Sequence, residues 1–163
     1  VDLFFYGTLR DAAVRRAVLG PGADRVAVEP ALIRGYRCAP VAGGRYPVLV
    51  PEAASRAEGV LAAGVGLEAA ARTSFFEDEG YDYSVESVAV ETASGAAREA
   101  WAFLSAGRLV AGAGRWSIED WNRRHRAAFV ANARRAMAQC QGAALDRYRE
   151  DWRLRAAAGG TGR

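Results

Sequence analysis

The chain has 163 residues, of which 51% are hydrophobic and 25% charged, and its formal net charge is +3. This length suits a single domain with one buried core, and the composition is typical of a soluble globular protein. The longest apolar runs, such as 48–50, are too short to span a membrane, and we expect no secretory leader before Val1. We therefore expect a soluble, cytoplasmic protein with no membrane partner.

All 22 basic residues are arginine, which together with the many alanines indicates a GC-rich bacterial genome. Because lysine is absent, a P-loop nucleotide site and Schiff-base chemistry are excluded. Cys38 and Cys140 are far apart and His125 is the only histidine, so we expect neither a metal nor another cofactor. Residues 115–155 hold ten arginines against five acidic residues. Since the acids are interspersed, a solvated helix face explains this segment and we expect no nucleic-acid partner.

The first half of the chain predicts one helix among short strands. Asp2–Tyr6 has the pattern of a buried strand, and Asp11 caps a helix that Gly20-Pro21-Gly22 ends. Strand-like apolar runs follow at Val26–Tyr36, Tyr46–Pro51 and Gly59–Val65. Pro30 interrupts the first of these runs, which indicates an edge or a bulge.

The second half predicts a helix, a hairpin and two final helices. Leu67–Phe76 has helical composition, and Tyr83–Thr92 with Arg98–Leu104 forms the hairpin. A long helix starts at Ser117 with a capping box in which Asp120 reaches back, and Ala143–Arg155 forms the last helix. Strands first and long helices last predict an α+β domain on a strongly curved sheet.

Three short segments carry polar groups beside apolar strands. In Tyr6-Gly7-Thr8-Leu9-Arg10, a glycine with positive φ could turn consecutive N–H groups toward an anion. Taken alone, however, this turn is better explained as an ordinary strand ending. Likewise, Tyr46-Pro47 alone is better explained as an edge strand with a packed tyrosine.

The third segment, 75–83, places four acidic residues among aromatic ones. A carboxylate held against rings and other carboxylates has a raised pKa, which suits general acid–base catalysis. A solvated acidic loop between a helix and a strand explains the segment equally well.

The order in which these segments occur identifies a protein family more specifically than any one segment does. Five segments follow one another along the chain: Phe-Tyr-Gly-Thr-Leu-Arg at 5–10, Tyr-Pro-Val-Leu-Val at 46–50, Glu-Gly-Val-Leu at 58–61, the acidic aromatic segment at 75–83 and Ala-Trp-Ala-Phe-Leu at 100–104. This succession resembles the small bacterial members of the gamma-glutamylcyclotransferase-like family. The resemblance implies a curved mixed sheet or small barrel flanked by helices. It assigns residues 1–104 to the core, 105–156 to a helical extension on the same domain and 157–163 to a flexible tail.

The resemblance also implies site residues. The family's Tyr-Gly-[Ser/Thr]-Leu turn binds the glutamyl part of the substrate, which carries over to Tyr6, Gly7, Thr8 and Leu9. The family's catalytic glutamate follows an aromatic residue, as Glu77 follows Phe76, while Glu79-Gly80 is a rival match. Thr73 and Ser74 stand where the family has Leu and Asp. Tyr83 and, less directly, Tyr46 correspond to pocket-lining tyrosines, and Arg10 adds positive charge behind the turn.

The implied activity is a transferase-type cyclisation. A γ-glutamyl amide would yield 5-oxoproline and release its amine or amino acid, without a metal or cofactor. The alternative is a non-catalytic module that binds or senses a small molecule in the same pocket.

Overall fold

Five strands close into a small barrel in the computed structural model, which describes residues 1–159. The strands are β1 (Leu3–Phe5), β2 (Ala27–Pro40), β3 (Pro47–Ala63), β4 (Tyr83–Thr92) and β5 (Ala97–Ser105), in the spatial order β1-β3-β2-β4-β5. β1 closes the barrel because it pairs antiparallel with β3 on one side and parallel with β5 on the other, where Leu3 lies opposite Trp101. The remaining pairs are antiparallel.

Helices flank the barrel. They are α1 (Ala12–Leu19), α2 (Leu67–Phe76), α3 (Ile118–Arg124), α4 (Arg126–Met137) and α5 (Gly142–Gly159), with short 3₁₀ turns at Thr8–Arg10 and Gly20–Arg25. Within residues 1–159, no helix combines the length and apolarity that a membrane span needs. The predicted α+β fold with a curved, barrel-like sheet is confirmed.

β1 contributes to two cores because successive strand residues point to opposite faces. Phe4, with Tyr6 just after the strand, joins a buried cluster drawn from all five strands. Leu3 and Phe5 join the larger cluster that β1 shares with the helices. The same short strand therefore anchors both the barrel interior and the helical layer, and it delivers the chain to Tyr6 from a fixed position.

One strand prediction is wrong and a second is partly right. The runs predicted at 46–51 and 59–65 belong to one continuous strand, β3, because β2 pairs with it at 47–51 and again at 56–63. The bulge of β2 lies at Gly35, with φ of 80°, where the register shifts between Arg34 and Tyr36. Pro30 fits the edge alternative, because it pairs with β3 but lies just outside the β2–β4 ladder, which begins at Ala31. The long partner strand, which no local pattern reveals, holds the segment around Pro51 in the sheet.

The single long helix predicted from Ser117 is also wrong, because the helix breaks at His125 between α3 and α4. On a straight helix Trp121 and Phe129 would be about 12 Å apart along the axis. Their ring centroids are 5.2 Å apart in an edge-on contact, which the bend allows. The Ser117 hydroxyl does accept from the Asp120 N–H, but it donates to Glu119, and Asp120 pairs with Arg123.

α5 starts one residue before the predicted helix and continues to Gly159. Residues 157–159 of the expected tail are helical, and 160–163 lie outside the described residues. Tyr148 and Trp152 of α5 are buried in the same cluster as Leu3 of the barrel. This shared core supports the proposal that residues 105–156 extend the domain formed by 1–104 and do not fold separately.

Candidate active site

The turn after β1 is a short 3₁₀ helix whose carbonyls are engaged. Gly7 O accepts from the Arg10 N–H and Thr8 O accepts from the Asp11 N–H, both at 3.0 Å. A helix start leaves its first N–H groups without partners in the same helix. The N–H groups at the beginning of this turn are therefore available to an oxygen ligand.

The expected positive φ at Gly7 is wrong, since its φ is −111°. Close packing favours glycine there instead. A Cβ at this position would lie 3.1 Å from Cγ and 3.2 Å from Cδ of Pro47. The turn consequently packs its backbone directly against the start of β3.

Two buried tyrosines each donate a hydrogen bond to the backbone of another strand. The Tyr6 hydroxyl donates to the Phe103 carbonyl at 2.6 Å, and the Tyr83 hydroxyl donates to the Pro47 carbonyl at 3.2 Å. Because each phenol has one hydrogen to donate, these bonds leave only oxygen lone pairs on Tyr6 and Tyr83. Both hydroxyls can therefore accept a hydrogen bond from a ligand N–H group.

Glu77 sits where α2 ends. Its N–H donates to Thr73 O at 2.9 Å, and the Glu79 N–H donates to Ser74 O at 3.0 Å. Asp78 between them has a φ of 52°. This combination of a left-handed residue and a six-to-one hydrogen bond is a Schellman-type helix end. It turns the chain sharply and fixes the backbone from which the Glu77 side chain extends.

These elements enclose a cavity of about 30 Å³. Its lining contains seven residues that the sequence predicted, namely Tyr6, Gly7, Thr8, Leu9, Tyr46, Glu77 and Tyr83. Phe4, Phe5, Pro47 and Phe103 complete the wall. A space of this size holds about two water molecules, so a larger ligand requires some lining side chains to move.

The apolar wall changes the acid–base properties of the cavity. Burial raises the pKa of Glu77 from its ordinary value of 4.5 to about 7. Burial, and then the Glu77 charge, raises the pKa of Tyr6 and of Tyr83. The pKa of Tyr46 is raised by burial and by the charges of Asp82 and Glu77. One carboxyl that can both take and give a proton near neutral pH thus faces phenols that stay protonated.

Glu79 and Arg10 lie outside this lining. The Glu79 carboxylate pairs with Arg155 of α5. The Arg10 guanidinium is 3.8 Å from the Glu58 carboxylate and lines a separate groove of about 640 Å³, together with Arg34, Arg56 and Arg115. Arg10 therefore contributes, at most, its long-range positive field to the cavity.

Cys38, whose thiol is a possible nucleophile, also lies nearby, with its Sγ 3.8 Å from the Tyr6 carbonyl oxygen. Burial raises the pKa of this thiol to about 12, so it stays protonated and unreactive. Residues 1–159 contain no cluster of three or more His, Cys, Asp or Glu side chains that could hold a metal ion.

The raised pKa of Glu77 makes a prediction about stability. Folded protein keeps the Glu77 proton in the range from about pH 4.5 to 7, where unfolded chain has lost it, so stability falls as the pH rises through this range. Glu77→Gln removes this effect. We expect the variant to gain up to about 3 kcal/mol over the wild type at pH 8, and little at pH 4. Urea unfolding at both pH values measures this difference, with the exposed Glu86→Gln as control. Equal gains at the two pH values would contradict the prediction.

The sequence missed the residues that fix this site from a distance. Nothing local indicates that the Phe103 and Pro47 carbonyls receive tyrosine hydroxyls. Nor does the i, i+4 spacing of Tyr148 and Trp152 reveal that Trp152 reaches Ser74 in the last part of α2 and Tyr148 reaches Glu79 just after it. The one signal in the sequence that could have indicated Phe103 was the strand alternation, which places its side chain on the same face of β5 as Trp101.

The protein is thus a closed five-stranded barrel with flanking helices, and within residues 1–159 Glu77 is the one carboxyl that lines the cavity at the Tyr6–Leu9 turn. The family described as "Gamma-glutamyl cyclotransferase, AIG2-like" matches residues 3–123. The chain belongs to this family, as the resemblance implied.

Solved structures share this fold. An Arabidopsis thaliana protein of known solution structure is 20% identical, with a TM-score of 0.59 over 86% of this chain and 93% of its own. A second Arabidopsis thaliana protein is 24% identical, with a TM-score of 0.58 over 82% and 79%. A structure titled "Gamma-glutamyl cyclotransferase" is 13% identical, with a TM-score of 0.55 over 81% and 85%. No sequence among the curated proteins matches this chain.

Proposed function

We propose that this protein is a gamma-glutamyl cyclotransferase-like enzyme that converts a γ-glutamyl amide to 5-oxoproline and the free amine or amino acid. The observation that carries the proposal is the Glu77 carboxyl, with a pKa raised to about 7, in the same cavity as the Tyr6–Leu9 turn. Family membership supports it at the level of the reaction class.

The substrate supplies its own nucleophile, so the protein contributes positioning and proton transfer. The α-amine attacks the γ-carbonyl carbon within one molecule, which gives a high effective concentration. Glu77, as carboxylate, takes a proton from the attacking nitrogen. It then gives that proton to the leaving nitrogen as the γ-amide C–N bond breaks, which closes the ring and returns Glu77 to its starting form. The reaction consumes no water and needs no metal or cofactor.

The remaining groups suit the charges of this substrate class. The N–H groups of the Tyr6–Leu9 turn can hold the α-carboxylate, or the oxyanion that forms on the γ-carbonyl oxygen. The lone pairs of the Tyr6 and Tyr83 hydroxyls can accept from the α-amino group. An uncharged amide with no amino group would lack a donor for the Tyr83 hydroxyl, whereas the Tyr6 hydroxyl also accepts from the Leu49 backbone.

We also propose a cytoplasmic location. Cys38 and Cys140 are both free and buried, which suits a reducing compartment.

Direct assay of 5-oxoproline release tests the function. We expect turnover with at least one member of a panel of γ-glutamyl amines, γ-glutamyl dipeptides and glutathione, and none with the matching α-glutamyl compounds. Saturable binding of a γ-glutamyl compound without turnover over hours would favour the non-catalytic binding module. Neither binding nor turnover across the panel would overturn both.

A further inference from the structure

The C-terminal helix α5 contacts the segment around Glu77, although it lies outside residues 3–123 that the family matches. The indole N–H of Trp152 donates to the Ser74 hydroxyl at 2.8 Å, and this bond is buried. The Tyr148 hydroxyl donates to the Glu79 carbonyl at 3.0 Å. The Arg155 guanidinium pairs with the Glu79 carboxylate. We call these three contacts the α5 clamp.

The α5 clamp brackets Glu77 in the sequence. Ser74 comes three residues before Glu77 and Glu79 two residues after it. Ser74 and Glu79 are also joined by the hydrogen bond that closes the helix end, from Glu79 N–H to Ser74 O. Both ends of the turn that carries the Glu77 backbone are therefore fixed by side chains of α5. The clamp also explains Ser74, which departs from the family pattern, because its hydroxyl receives the Trp152 N–H.

The ion pair of the clamp is largely removed from water. The Glu79 side chain is 9% exposed and the Arg155 side chain 25%. The Arg155 guanidinium also lies 5.0 Å from the centre of the Trp152 ring. Within residues 1–159, the second carboxylate oxygen of Glu79 and one terminal nitrogen of Arg155 have no hydrogen-bond partner. The two charges consequently stabilise each other, and removing one leaves the other as an unpaired, poorly solvated charge.

We propose that Arg155, acting through Glu79, is a positioning residue that holds Glu77 at the catalytic cavity. This inference rests on the proposed function. Arg155 itself does not line the cavity. If the clamp were loosened, the cavity would stay intact but the Glu77 carboxyl could move. It would then lie too far from the attacking and leaving nitrogens to transfer a proton between them. Displacement of a reacting group by about 1 Å costs up to about 100-fold in rate.

The first test replaces Arg155 with methionine, which keeps the aliphatic stem. We expect kcat for 5-oxoproline release to fall about 10- to 100-fold, with KM changed by less than about 3-fold, since the substrate-binding turn is untouched. Arg155→Lys, which keeps the charge, should restore most of the loss. Arg153→Met is the matched control, because Arg153 lies on the same helix and forms an exposed ion pair with Glu150. It should keep wild-type kcat.

Two further variants separate positioning from general destabilisation. In the Glu77→Gln background, Arg155→Met should lower the residual rate no further, because the group it positions is gone. The double variant Glu79→Gln/Arg155→Met removes the stranded charge and should fold even where Arg155→Met does not. It should still show the loss in kcat. The inference would be overturned if Arg155→Met lowered kcat as much in the Glu77→Gln background as in the wild type. It would also be overturned if the Glu79→Gln/Arg155→Met variant kept wild-type kcat.

Amide hydrogen exchange provides a readout that needs no activity. In Arg155→Met and in the double variant, we expect faster exchange at the Glu77 and Glu79 amides, with the β4–β5 hairpin unchanged. If the wild type turns over no γ-glutamyl compound, the proposed function fails, yet the exchange result still decides whether the clamp holds this segment. Unchanged exchange in both variants overturns the clamp whatever the activity.

Discussion

Glu77→Gln is expected to lower kcat for 5-oxoproline formation by at least about 1,000-fold. Glutamine keeps the size and the polarity of the side chain but can neither take nor give the proton that passes between the two nitrogens. General acid–base groups contribute about 100- to 10,000-fold, and here one group serves both nitrogens. KM should change little, because the Tyr6–Leu9 turn and the tyrosine hydroxyls still bind the substrate. Steady-state kinetics with the best substrate of the panel measures both constants.

Two control variants make this result specific. Glu86→Gln changes an exposed glutamate on β4 whose side chain accepts a hydrogen bond from Ser84 and does not line the cavity, so it should leave kcat unchanged. Glu79→Gln should lower kcat moderately through the α5 clamp, and less than Glu77→Gln does. Full activity in Glu77→Gln together with loss of activity in Glu79→Gln would reverse the assignment of the acid–base residue.

The pH dependence of kcat/KM should reflect the ionisation of Glu77. Since Glu77 acts first as a carboxylate, kcat/KM is expected to rise with pH as this group loses its proton, near pH 7. The exposed control, Glu86→Gln, should keep this limb of the profile. A limb that stays in place in Glu77→Gln would show that it belongs to another group, such as the substrate amine.

Gly59→Ala is expected to destabilise the fold by about 3 kcal/mol and to impair the site with it. A Cβ on Gly59 would lie 2.5 Å from two ring carbons of Phe4 and 2.5 Å from the Phe5 carbonyl oxygen. The Phe5 carbonyl cannot retreat without moving β1, and β1 leads directly into the Tyr6–Leu9 turn. Overpacking of this kind typically costs about 1–3 kcal/mol, and more where the backbone must shift.

Urea unfolding and activity measure this effect, with Gly22→Ala as the matched control. No atom lies within 4 Å of a Cβ placed on Gly22, so that variant should have wild-type stability within about 0.5 kcal/mol. The two substitutions add the same methyl group and differ only in the space that receives it. Wild-type stability in Gly59→Ala would show that β1 can move away from β3 without cost.

Local signals account for the elements that the sequence predicted well. Asp11 accepts hydrogen bonds from the Ala13 and Val14 N–H groups and starts α1 as its pattern indicated. The helix Leu67–Phe76 and the strand Tyr83–Thr92 have the predicted bounds. Each of these depends on residues a few positions apart, which is the range over which caps and periodicity act.

Errors arose where a distant partner overrides the local pattern. Pro51 should end a strand, yet β3 continues because β2 pairs with it on either side of the irregularity at Gly35. Gly7 predicted a positive φ, but its lack of a side chain serves the contact with Pro47, 40 residues away in sequence. Likewise, nothing near Glu79 in the sequence shows that Arg155 neutralises it.

The sequence by itself determined the family and the helix and hairpin around the acidic segment, and it predicted the residues that the proposed function uses. It left Glu77 and Glu79 as rivals, because both stand in the same short acidic run. Only the tertiary structure separates their surroundings. The barrel brings Glu77 into the apolar wall beside Tyr6 and Tyr83, where burial raises the pKa of its carboxyl. α5 brings Arg155 to Glu79, whose charge is thereby paired. The difference between these two glutamates is one of solvation and charge partners, and both depend on contacts between distant parts of the chain.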